Sequence, residues 1–115
     1  MKTILYAITS IDSEGKKVLL SKKCNIATLN EQPFYQSYEN ARKSSVKIKN
    51  DNTRNLDRTL HWKVKSEETL SKMKRGKIEF NEGLKIHANS MIKDYFDSLS
   101  FIDNGFNIVE VKISL

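Results

Sequence analysis

One cysteine, one proline and four glycines are all that 115 residues hold of the types that staple, break or loosen a chain. A lone thiol, Cys24, excludes an internal disulfide and fits a reducing compartment, so the cytoplasm is the expected location. Gly15, Gly76, Gly83 and Gly105 are isolated. None sits in the G-x-x-x-x-G-K-[ST] or G-x-G-x-x-G context that cradles phosphate. His61, His87 and Cys24 lie far apart in sequence, which is no zinc-ligand spacing, and nothing around Cys24 resembles a nucleophile elbow. No apolar run approaches the roughly 18 residues of a membrane span. The opening Met1–Ile8 is cut short by Thr9, Ser10 and Asp12 with no small-residue cleavage site behind them, which argues against a secretory signal. The expectation is a non-enzyme without cofactor or metal, and with no membrane partner.

What is present suffices for one core. A chain of 13.3 kDa is near the modal domain size, and its compact fold should expose roughly 6,400 Å². A single globular domain over residues 1–115 is expected, since two halves would each be too small to stand alone.

Thr3 to Ile11 is β-branched and aromatic, apolar on both alternating faces, as in a strand covered on both sides. Asp12-Ser13-Glu14-Gly15 is turn chemistry, and Lys16 to Lys22 reads as its hairpin partner. A loop follows over Lys23 to Gln32, closed by Pro33. Ser37 is the expected cap of a helix from Tyr38 to about Lys49, stopped by Asn50-Asp51-Asn52. Arg58 to Lys65 alternates, with Leu60, Trp62 and Val64 against Thr59, His61, Lys63 and Lys65, and predicts an amphipathic strand with Trp62 packed beneath helices. A short helix is expected from Ser66 to Gly76, then a short strand over Lys77 to Phe80. Leu84, Ala88, Met91, Tyr95 and Leu99 recur at helical spacing behind the cap Asn81, with His87 on that buried stripe or at its edge. Asp94 and Asp97, with Lys93 beside them, read as a solvated helix face. After Asp103-Asn104-Gly105, the alternation to Leu115 predicts a last strand inside the sheet; whether its edge also pairs across a two-fold in a homodimer stays open. The expected class is α+β, a mostly antiparallel sheet of four to five strands with two to three helices packed on one face.

The net charge of +6 is unevenly spread. Lys16 to Lys77 carries sixteen basic and six acidic residues, while the two ends together carry four basic and eight acidic. A basic middle points to an anionic partner. The candidate surface is Arg42, Lys43, Lys47, Lys49, Arg54, Arg58, His61, Lys63 and Lys65, with Phe34 and Tyr35 as exposed contacts after Pro33. The plain alternative is that lysine, four times as frequent as arginine, merely solubilises a protein from an AT-rich genome.

Leu5-Tyr6-Ala7-Ile8-Thr9 with its hairpin, the run from Phe34 to Lys43, and the ending Phe106-Asn107-Ile108-Val109-Glu110-Val111 resemble small uncharacterised phage and prophage proteins of low-GC bacteria. The resemblance covers about half the chain, in style rather than in any functional motif. It implies a mobile-element protein that binds and inhibits host machinery, such as an anti-defence (anti-CRISPR) inhibitor acting on a host protein, its nucleic acid or a nucleotide. The other reading is a stand-alone nucleic-acid-binding protein using the same basic surface.

Overall fold

The computed structural model describes residues 2–20 and 33–114. The expected loop over Lys23 to Gln32, with Cys24 in it, lies outside the described residues. The elements are β1 (Lys2–Ile11), β2 (Lys17–Leu19), β3 (Phe34–Tyr35), α1 (Tyr38–Arg54), α2 (Leu56–Lys74), α3 (Glu82–Asn104) and β4 (Asn107–Ser114). The class is α+β, as expected, with four antiparallel strands and three helices.

β1 is the spine of the sheet. β4 pairs with it antiparallel from Lys2 opposite Ser114 to Thr9 opposite Asn107. Thr9 also pairs with Leu19, so β2 lies on the other side of β1, and β3 shares that side through Tyr6–Tyr35 and Ala7–Phe34. Ile8 meets Leu20, Tyr35, Ala41, Ile48 and Phe101 in the core, flanked by Tyr6, Val18, Phe106 and Ile108. Ala7 and Thr9, alternating to the other face, are buried as well.

The β1–β2 turn closes through its own side chain. One carboxylate oxygen of Asp12 accepts from the amides of Glu14 (2.9 Å) and Lys16 (2.8 Å), and Gly15 takes φ +80°, a conformation that L side chains rarely adopt. Ser37 caps α1 by accepting from the Asn40 amide at 3.1 Å, with Glu39 in the first turn. Ser37→Ala should lower stability by about 1 kcal/mol, read by urea denaturation with an unchanged slope.

Four expectations are corrected here. Asn50-Asp51-Asn52 does not stop α1: Asn52 is buried and its amide donates to the Ile48 carbonyl at 2.9 Å, so it is satisfied inside the helix. Arg58 to Lys65 is not a strand but the first half of α2. The period that wins is Leu56, Thr59, Lys63, Ser66, Leu70 and Met73, separated by three, four, three, four and three residues, all buried or half-buried. Leu60, Trp62 and Val64, which suggested alternation, remain 39%, 50% and 43% exposed and form no buried face. Trp62 is therefore not packed beneath helices. Lys77 to Phe80 forms no strand; the α2 end is closed by Gly76 (φ +70°), with Gly76 and Lys77 amides donating to Met73 and Lys72 carbonyls.

α1 and α3 lie on the sheet, whereas α2 lies against α3 and, among the described residues, touches no strand. The α2–α3 hairpin therefore projects. The molecule measures 61 × 29 × 20 Å with a radius of gyration of 17.3 Å, against about 13 Å for a compact chain of this length. Among the described residues no helix is long and apolar enough to cross a membrane.

Candidate binding surface

α1 and α2 are consecutive helices joined through the single residue Asn55. Asn55, at φ −90° and ψ 3°, is a turn residue between them: its amide donates to the Asp51 carbonyl and its carbonyl accepts from Thr59, both at 3.0 Å. The inward positions keep one count through the joint: Ala41, Ile48 and Asn52 in α1 run on to Leu56, Thr59 and Lys63 in α2 in steps of three, four or seven residues. Lys43, Lys47, Arg54, Arg58, His61, Lys65 and Lys72 follow at separations of four, seven, four, three, four and seven, the spacing of one stripe on an α-helix. All seven are exposed, on the side away from Ala41, Ile48 and Asn52 in α1 and from the α3-facing row in α2. The two intervening stripe positions are Asn50 and Glu68.

The expected residues divide on this frame. Lys43, Lys47, Arg54, Arg58, His61 and Lys65 converge on the ridge so formed. Arg42 and Lys49 fall on the adjoining flank, and Arg42 is held by Glu39 through two hydrogen bonds, at 2.7 and 3.2 Å. That bond raises the Arg42 pKa and lowers that of Glu39. Arg54 pairs with Asp51 one turn back. Lys63 leaves the surface: two residues from Lys65 is more than half a turn, and its ammonium turns in to Glu67 (3.0 Å) and over the rings of Phe96 and Tyr95, at 5.3 and 5.7 Å. Lys43, Lys47, Lys49, Arg58, Lys65 and Lys72 hold no ion pair among the described residues. Lys72 was missed because a strand reading of 58–65 ends the stripe before it; extending the i+3 and i+4 steps past Lys65 finds it.

Phe34 and Tyr35 are not exposed contacts. Both belong to β3, where Tyr35 is buried in the core and Phe34 half-buried beside Ala7. Trp62 does offer an exposed ring. It stands four residues after Arg58 and three before Lys65, beside the ridge, with His61 edge-on to it at 5.4 Å.

His87 is exposed, not on the buried stripe, because Ala88 takes the position facing inward. Asp97, expected on a solvated face, is buried. Its carboxylate accepts from the Ser13 amide (2.9 Å), the Ser13 hydroxyl (2.6 Å) and the Lys93 ammonium (2.7 Å). Burial pushes this carboxyl up, but the bonds from Lys93 and from both Ser13 donors outweigh it and hold it below its ordinary value. One turn on, the Ser100 hydroxyl bonds the Ile11 and Asp12 carbonyls. The cluster ties the β1–β2 turn to α3. Sequence pattern could not show it, since its partners are 84 residues apart. Among the described residues no three His, Cys, Asp or Glu side chains are placed to hold a metal.

No family model, curated protein or solved structure matches this chain.

Proposed function

We propose that the chain is a non-catalytic binding protein of mobile-element type that engages nucleic-acid phosphate through the α1–α2 ridge, within a host complex that it inhibits or on the nucleic acid alone. The observation supporting this reading is that six cations line the exposed side of α1 and α2, with Asp51, paired to Arg54, and Glu68 as the carboxylates among them. Helical side chains at this spacing track a phosphate backbone, and long lysines reach it without fixed geometry, which favours backbone contact over base readout. Trp62 beside Arg58 and Lys65 adds a flat face on which an unpaired base could stack, which favours single-stranded or distorted segments.

Titration of labelled single- and double-stranded oligonucleotides, followed by anisotropy and by quenching of the sole tryptophan, tests this. With four to six phosphates contacted, affinity should fall about 10²–10³-fold between 50 and 200 mM salt. Binding that appears only when a host nuclease or its guide complex is added points to the inhibitor arm; binding without it points to the stand-alone arm. No binding in either setting at low salt would dispose of both.

A further inference from the structure

The projecting hairpin is an incompletely covered structure. A compact 13.3 kDa chain should expose roughly 6,400 Å², whereas this one exposes 8092 Å². The seam between α2 and α3 is itself weakly apolar, with Thr59, Lys63 and Ser66 in the row that faces α3. Beside that seam runs an apolar flank. Leu60 and Val64 are one turn apart on α2, and Ile92, Phe96 and Leu99 border the same seam on α3. The Lys63 ammonium, bound to Glu67 on the Leu60–Val64 side, lies over the Phe96 ring and so places the two rows on one side of the hairpin. Leu60, Val64 and Phe96 are all more than a third exposed.

Charge selects the occupant. Residues 56–104 carry nine basic and eight acidic side chains, so this part of a +6 protein is close to neutral and two copies can meet there without like-charge repulsion. Polarity along the hairpin is uneven. Its tip, residues 71–85, has five basic and two acidic residues, while residues 86–104 have one lysine and three aspartates, of which Asp97 is buried against that lysine and Asp94 and Asp103 are exposed. An antiparallel two-fold arrangement sets the basic tip of each copy beside the acidic base of the other. We propose that the protein is a homodimer in which two α2–α3 hairpins pack through the Leu60–Val64–Phe96 flank into an antiparallel four-helix bundle. The ridge cations Arg58 and Lys65 lie more than a quarter turn from Val64 around α2, with His61 bordering the flank, so one particle presents two ridges. This inference does not rest on the ridge binding anything.

Sedimentation equilibrium in about 0.5 M salt, where phosphate contacts are screened, separates the two readings. The expected mass is twice the 13.3 kDa chain. Leu60→Lys and Val64→Lys, both at positions already exposed in the single chain, should raise the dimer dissociation constant at least about 10²-fold with helical circular dichroism unchanged. Charge reversal on the ridge should leave the dimer intact. If either lysine variant fails to fold, Val64→Thr, of the same shape, should still weaken association about tenfold. A single-chain mass at 0.1 mM protein (about 10⁵ times a nanomolar dissociation constant) overturns the proposal. A dimer indifferent to Val64→Lys, or a larger assembly, does so as well, because association then lies elsewhere.

Discussion

Reversing three ridge charges, Lys47→Glu, Arg58→Glu and Lys65→Glu, should lower affinity for nucleic acid at 50 mM salt by at least about 10²-fold, at roughly 1 kcal/mol for each lost phosphate contact before repulsion is added. All three side chains are exposed and hold no ion pair among the described residues, so the fold should change by less than about 0.5 kcal/mol. The slope of log affinity against log salt should flatten by about 2.7 on duplex and about 2.1 on single strands. The informative control carries the same change in net charge away from the ridge: Lys16→Glu, Lys85→Glu and Lys112→Glu. If phosphate reads the stripe, this control should weaken binding no more than a few-fold. Equal losses in both triples would mean that only net charge matters, and the ridge would then be a solvated face of a lysine-rich protein.

The same residues show what the sequence could and could not disclose. The first and last strands, the caps at Ser37 and Asn81, and the turn at Asp12–Gly15 were legible because each depends on chemistry within a few residues. α2 was not. Three apolar side chains at Leu60, Trp62 and Val64 mimic a strand, and in α2 each remains more than a third exposed, so local pattern had no buried face to report. That misreading altered the candidate surface in a specific way. On a strand, His61, Lys63 and Lys65 share a face; on the helix His61 and Lys65 still do, while Lys63 turns toward α3 and Lys72 joins. β3 is two residues long and exists only through its pairing with Tyr6 and Ala7, which no local signal encodes. Charge excess in the middle of the chain was visible from composition, whereas its alignment emerges only when α2 replaces the expected strand and continues the count of exposed positions from α1.

Asp97→Asn should destabilise the protein by about 2–4 kcal/mol near neutral pH, since the change removes a buried charge that three donors address and leaves Lys93 beside a neutral amide. An amide oxygen can still accept from Ser13, which is why the loss should stay below the figure for emptying the site. The pH dependence carries the sharper signature. The folded carboxyl titrates below its ordinary 3.8, so its contribution is fully present above that pH and is lost as pH falls through the lowered folded value. Wild type and variant should therefore converge in stability as pH drops below about 4, and remain separated from pH 5 to 8. At the alkaline end the hydrogen bond to Asp97 raises the Lys93 pKa above its ordinary 10.5, against the opposing effect of desolvation, so that stabilisation is complete below 10.5 and disappears as pH rises through the raised value. Urea unfolding at fixed protein concentration, repeated across this range, measures both limbs, the fixed concentration removing any contribution from self-association. The loss should appear first where Ser13 and Ser100 hold the β1–β2 turn on α3, as faster amide exchange in residues 11–16 while the core around Ile8 stays protected. A difference that is constant with pH would show that the side chain acts through packing alone, and that the charge on Asp97 does not tie the turn to the helix.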